Sequence, residues 1–150
     1  VKSPGQMLGF WDDQDRTNDV MIDDYMLTGD IAVLAQDQSL RLIGRSKHEI
    51  NVGGIKVLAE EIDILLEQHP DVIEACGFGI PDEIAGERVA AIVRTKSTEL
   101  TMQELIAWCR KNARPDAIPS KLEIVQDIPK NDRGKIARHE VRQRMLSEWF

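Results

Sequence analysis

The chain has 150 residues, 42% of them hydrophobic and 30% charged, with a formal net charge of -7, which suits one domain or one domain with a remnant of another. No apolar run approaches the ~18 residues a membrane helix needs and no signal-peptide pattern opens the chain, so nothing in these residues reads as a membrane segment. The charge is uneven: Val1 to Asp30 sets two cations against seven aspartates, whereas Lys121 to Arg144 sets seven cations against four acids. An acidic chain with one basic tip argues against general nucleic-acid binding and fits a localised phosphate ligand.

In chain order, Val1 to Thr28 is cut by Pro4, Gly5, Gly9 and aspartate clusters into apolar scraps such as Met7-Leu8-Gly9-Phe10-Trp11. Scraps of that length need an external sheet to bury them, so the expectation is a fragment whose upstream partner is missing. Tyr25-Met26-Leu27-Thr28-Gly29-Asp30 follows. A carboxylate there can accept both vicinal hydroxyls of a ribose while the glycine allows close approach, although Thr-Gly-Asp in isolation is more often a turn. Ile31 to Ala35 and Leu40 to Ile43 flank the polar Gln36-Asp37-Gln38-Ser39 and predict a hairpin.

Gly44-Arg45-Ser46-Lys47 places a pivot before two cations, and Ile50-Asn51-Val52-Gly53-Gly54 pairs two glycines where the backbone turns tightly or meets a ligand. A helix is predicted over Ala59 to Gln68, with Glu60, Glu61 and Asp63 in its first turn and His69-Pro70 as its stop. Val72 to Ile80 and Val89 to Val93 read as strands. Thr101-Met102-Gln103-Glu104 is a capping box for a helix whose Met102, Leu105, Ile106 and Cys109 form a core stripe. Lys121 to Val125 reads as another strand and Ala137 to Trp149 as a closing helix buried through Ala137, Val141 and Met145. Cys76 and Cys109 lack zinc-site spacing and read as reduced core residues of a cytosolic protein. His48 and His139 read as solvent-facing, and His69 as a helix-end residue.

The last motif is Ile128-Pro129-Lys130-Asn131-Asp132-Arg133-Gly134-Lys135-Ile136-Ala137-Arg138. It is no P-loop, because Ile136 stands where that motif needs Ser or Thr and Pro129 where it needs glycine. An ammonium such as Lys135, on a loop that Gly134 lets bend, can offset the repulsion of two anions brought together and stabilise charge on a transferring phosphoryl group.

Taken in order, these three motifs resemble the acyl-adenylate-forming superfamily, which includes acyl-CoA synthetases, luciferases and peptide-synthetase adenylation domains. The resemblance covers nearly the whole chain. It makes residues 1–44 the tail of a large N-terminal adenylation domain with its hinge hairpin, and 45–150 a mobile C-terminal domain. It implies that Asp30 and Arg45 contact the nucleotide, that Lys47 is the hinge, that Asn51, Gly53 and Gly54 line the passage for the pantetheine thiol, and that Lys135 is the adenylation lysine. ATP, magnesium and CoA are implied with it, magnesium and most ATP contacts being expected in the large domain, as is the acyl pocket. The implied partners are that missing domain, a carboxylic acid and CoA, with no nucleic acid.

Departures are mild: Ala59 stands where proline is common, Asp63 replaces the usual glutamate, and Asn131 and Arg133 fill a variable step. The fold expected is α+β, a small mixed short-stranded sheet covered by about three helices, preceded by a β-hairpin and a remnant of a larger domain. The function expected is an acyl-CoA synthetase in the cytoplasm, the fragment alone being inactive. The Asn-x-Gly-Gly-x-Lys pattern leans away from a peptide-synthetase adenylation domain. A non-enzymatic interaction module retaining the fold is the reading from another class.

Overall fold

The computed structural model describes residues 1–150, which divide into two compact units, Val1–Lys47 and His48–Phe150. In the first, Asp13 caps a short helix α1 (Gln14–Val20) by accepting the Arg16 N–H, and no residue of α1 is buried. Two-residue strands β1 (Met21–Ile22) and β2 (Tyr25–Met26) pair antiparallel. Neither α1 nor this pair was foreseen, since two-residue strands carry no periodicity to read. The expected hairpin is present as β3 (Asp30–Leu34) and β4 (Leu40–Arg45), with a bulge between Ile31 and Ala32. Its turn closes on Asp37, whose carboxylate accepts from the Ser39 hydroxyl at 2.7 Å and the Ser39 N–H at 3.0 Å. The Ser39 hydroxyl, then its N–H, hold that carboxyl below the usual range.

The second unit is built on a mixed five-stranded sheet. Strands β5 (Glu49–Val52) and β6 (Ile55–Leu58) form a hairpin, and the sheet order is β6-β5-β8-β7, with β7 (Val72–Asp82) and β8 (Gly86–Thr95) as its long strands. The β8 edge away from β7 is shared: β5 meets it at Val52 opposite Gly86, and β9 (Lys121–Ile124) runs parallel along Ala90 to Val93. Both long strands exceed their sequence-read bounds, because Pro81 and Asp82 stay paired with Glu87 and Gly86 up to the turn.

Helices cover both faces. Along β7 and β8, Ala75, Val89, Ala91 and Val93 face one core with α2 (Ala59–Glu67) and α3 (Met102–Asn112). Cys76, Phe78, Ile80, Ala90 and Ile92 face the other, under α4 (Arg138–Trp149). This two-sided burial is why these strands read as near-continuous apolar runs and not as alternations. Helix α2 lies so close that a Cβ on Gly77 would meet Ile62 Cβ at 2.7 Å.

Strand β7 is an edge strand, and side chains cap its free edge. Glu67 accepts the Ala75 N–H at 3.2 Å, Asp63 accepts the Gly77 N–H at 2.6 Å, Arg138 donates to the Gly77 carbonyl and Arg142 donates to that of Gly79 at 2.8 Å. Four residues of helix rise ~6 Å and two residues of strand ~6.6 Å, so arginines four apart on α4 match alternate carbonyls of β7. The exposed polar row that would invite another strand is thereby closed.

The capping box is complete, Thr101 accepting the Glu104 N–H at 3.3 Å while Glu104 accepts the Thr101 N–H at 2.9 Å. Two sequence expectations need correction. Met102 is 45% exposed and lies off the core stripe formed by buried Leu105 and Cys109 with half-buried Ile106, because it opens the helix before the first turn reaches the sheet. His48 is half-buried and not solvent-facing, its Nδ1 meeting the Glu60 carboxylate in the first turn of α2.

Candidate functional site

Asp30 and Arg45 lie opposite each other in the β3–β4 ladder of the first unit, and the ladder makes them a pair, Arg45 Nη1 standing 2.9 Å from Asp30 Oδ1. Arg45 also donates to the Thr28 carbonyl at 3.1 Å, and Ser46 N–H donates to the Gly29 carbonyl at 2.8 Å. Gly29, at φ +72°, makes the bend that brings Thr28 and Asp30 to one side, where Thr28 Oγ1 accepts the Asp30 N–H at 3.2 Å. Paired through one oxygen with the guanidinium, the Asp30 carboxylate keeps its second oxygen to accept another hydrogen bond. Lys47 is exposed in the 3₁₀ turn Ser46–His48 and is the last residue of its unit.

In the second unit, Gly53 and Gly54 form the two-residue turn between β5 and β6, at φ +60° and +90°, which suits a Gly-Gly hairpin. Three hydrogen bonds hold it: Gly54 N–H to Asn51 Oδ1 at 2.9 Å, Gly53 N–H to the Ala85 carbonyl at 2.8 Å, and Asn51 N–H to Glu87 Oε2 at 3.0 Å. Asn51 is thus a builder of the turn, and nothing lies within 4 Å of where a Cβ on either glycine would sit. The turn is bound to the β7–β8 end of the sheet, where Asp82 accepts the Ile84 and Ala85 N–H groups; the Ala85 bond above all holds its carboxyl below the ordinary range.

Lys135 lies at the end of a small hairpin between β9 and α4. Lys130 bridges Ile136, Ala137 N–H donates to the Pro129 carbonyl at 2.9 Å, and Asn131 N–H donates to the Lys135 carbonyl at 2.8 Å. Asn131 Oδ1 accepts the Arg133 N–H at 3.0 Å and the Lys135 N–H at 3.1 Å. Gly134 turns the chain at φ +72° with open space around it, and Lys135 is exposed. Backbone and side chain of Asn131 thus fix the peptide of Lys135 and leave its ammonium in solvent.

Both feet of that hairpin are tied to other elements. Lys130 Nζ stands 2.8 Å from Glu74 Oε1 on β7. Arg138 forks onto Asp63 of α2 at 2.6 and 3.1 Å, both side chains being 14% exposed. Burial pushes the Asp63 carboxyl up while the Arg138 hydrogen bond and charge pull it back; burial opposes the charge on Arg138, and its Asp63 bond keeps the guanidinium firmly cationic. Glu74, Glu87, Asp63 and Arg138 carry this framework, and the sequence reading assigned none of them a part. The Asp63 to Arg138 pairing spans 75 residues, so no local signal marks it.

The glycine turn and the Lys135 hairpin occupy different ends of β7. From Glu74 to Asp82 is eight residues, roughly 26 Å at strand rise. No group of three or more His, Cys, Asp or Glu side chains is arranged to hold a metal ion. Both cysteines are buried and free, as expected, and burial raises their thiols to about 12 for Cys76 and about 11 for Cys109.

Comparison with known proteins places this geometry among relatives. The AMP-binding enzyme C-terminal domain family matches residues 61–135, ending on Lys135. A long-chain-fatty-acid–CoA ligase of Yersinia pestis is 37% identical over 142 residues, covering 95% of this chain and 25% of the relative. An oxalate–CoA ligase of Arabidopsis thaliana is 38% identical over 122 residues, 81% of this chain and 24% of the relative. The chain therefore spans about a quarter of the length of these relatives. Among solved structures, an amide bond synthetase from Marinactinospora thermotolerans superposes with a TM-score of 0.89 at 31% identity, covering 96% of this chain and 29% of the other.

Proposed function

Because the chain belongs to the family of AMP-binding enzyme C-terminal domains, we propose that it serves a longer ATP-dependent acid–thiol ligase, an acyl-CoA synthetase, as its moving domain. The observation that carries this reading is Lys135: an exposed ammonium on a hairpin whose backbone is fixed by Asn131. In the first half-reaction a carboxylate oxygen attacks the α-phosphorus of ATP and pyrophosphate leaves. Lys135 stabilises the charge that develops on the transferring group, a role whose removal costs about 10²- to 10³-fold in rate.

In the second half-reaction a thiol attacks the acyl carbonyl and AMP leaves. The open Gly53-Gly54 turn, which no side chain crowds, suits the passage of a pantetheine arm. The glycine turn is tied to the Ala85 and Glu87 end of the long strands and the Lys135 hairpin to Glu74 and Gly77 further along β7, so the domain rotates to present each in turn, about Lys47, where the two units meet in sequence. Asp30 and Arg45 bind the nucleotide, the former through ribose hydroxyls. Magnesium on the ATP phosphates belongs to the same reading, but this chain supplies it no ligand cluster.

The test is pyrophosphate release by the full-length gene product with palmitate, oleate and oxalate, with and without CoA, beside Lys135→Ala. The reading expects release that depends on an acid and collapses in the variant. Silence of a folded wild type on every acid, or release that survives in Lys135→Ala, contradicts it and favours an interaction module.

A further inference from the structure

We propose that Lys130 and Arg138 are positioning residues for Lys135: paired with Glu74 and Asp63, they pin both feet of its hairpin to the free edge of β7, so that hairpin and sheet move as one body. This rests on the ligase reading.

The hairpin needs such anchors. It is a two-stranded ribbon with a single bridge, Lys130 to Ile136, and a ribbon of that size is marginal in water by itself. Its internal hydrogen bonds fix the shape of residues 129–137 but not where that shape points. Direction is set at the feet. On one side the Lys130 ammonium meets Glu74, which is 16% exposed on β7. On the other, three residues after Lys135, Arg138 lays two nitrogens on Asp63 and one on the Gly77 carbonyl, while Asp63 also accepts the Gly77 N–H. Strand, α2 and the first turn of α4 therefore converge on one guanidinium.

Energetics favour a geometric role over a stabilising one. Desolvating a guanidinium and a carboxylate consumes most of their mutual attraction, so a buried pair is a poor source of stability; what it supplies is a unique arrangement, because a planar fork fits a carboxylate in one way. A lysine at position 138 keeps the charge but loses the fork. The solvent-exposed Arg144 to Glu148 pair on the same helix provides the contrast, since it touches neither foot.

The experiment compares Arg138→Lys, Lys130→Met, Lys130→Arg, Arg144→Ala and Lys135→Ala in the full-length gene product, using whichever of palmitate, oleate and oxalate drives pyrophosphate release. Each variant is measured in two half-reactions, pyrophosphate release with ATP and thioester formation from supplied acyl-adenylate and CoA. Displacing a reacting group by about 1 Å costs on the order of 10²-fold. Arg138→Lys is accordingly expected to lower kcat for pyrophosphate release by about 10²-fold and Lys130→Met by about tenfold, with KM for ATP little changed and thioester formation retained. Lys130→Arg, which restores the pair with Glu74, recovers the wild-type rate, and Arg144→Ala matches wild type throughout. Should Arg138→Lys lose both half-reactions through unfolding, the Lys130 pair decides. The proposal is overturned if Lys130→Met leaves pyrophosphate release intact, lowers both half-reactions equally, or is not rescued by arginine. If Lys135→Ala itself keeps releasing pyrophosphate, or no acid drives release, the ligase reading fails and takes this one with it.

Discussion

The two units of the chain are held together in opposite ways. Every buried hydrophobic residue lies at or after Ile50, whereas Val1–Lys47 has none and leaves Leu8 and Trp11 98% exposed and Leu42 67% exposed. The second unit closes its own core on both faces of a sheet; the first is a set of locally hydrogen-bonded turns and hairpins. The Lys135 hairpin and the Gly53-Gly54 turn are mounted on the part with a core, and the Asp30–Arg45 pair sits in the part without one. A unit with no buried side chain cannot offset the entropy of ordering its backbone by apolar burial.

Core truncation breaks that contrast most severely. Phe78→Ala removes a ring that is 2% exposed and stacked 5.8 Å from Trp149, and urea unfolding is expected to show a loss of about 3–5 kcal/mol. Leu42→Ala in the first unit shifts the same transition by no more than about 0.5 kcal/mol; equal effects would mean that the two units share one core. Gly77→Ala comes next, because its methyl would meet Ile62 at 2.7 Å and the Ala59 carbonyl at 3.0 Å, for a thermal-denaturation loss of about 1–3 kcal/mol.

Caps give a finer comparison. Thr101→Ala removes one half of the capping box on α3 and should cost about 1 kcal/mol in global unfolding. Asp13→Ala removes the equivalent cap from α1 and should change local amide exchange in that helix while leaving the global midpoint in place. At the small end lies the absence of any effect. With thiols raised to about 12 and about 11, Cys76 and Cys109 should resist an aromatic disulfide reagent at pH 8 until the second unit unfolds, and rapid labelling of the native protein would show that its core opens locally.

Much of the second unit was legible from residue patterns. The capping box Thr101 to Glu104, the proline stop after His69 and the apolar runs on β7 and β8 all reflect interactions within a few residues or one strand, where local chemistry decides. Val1 to Thr28 reads as broken apolar scraps, and none of its residues is buried. The β5–β6 hairpin escaped, although Asn51, Gly53 and Gly54 were singled out, because four-residue strands around a glycine pair show too short a period to tell from a loop. The site divided in the same way. Lys135 was marked by its sequence neighbours, but Asp63, Glu74 and Arg138 were not, since a buried pair joining α2 to α4 exists only once the sheet has brought them together. Met102 and His48 were misplaced for a related reason: helical spacing and polarity say which face a residue occupies, not how far along that face the neighbouring element reaches.

The alternation of two faces is tested most directly by splitting the half-reactions of the full-length gene product between two variants. Lys135→Ala should abolish acid-dependent pyrophosphate release and still form thioester from supplied acyl-adenylate and CoA. Gly54→Leu, which places a side chain in the open turn at φ +90°, should do the reverse. Loss of the same half-reaction in both variants would contradict the account, because the hairpin and the glycine turn would then serve one step and not two.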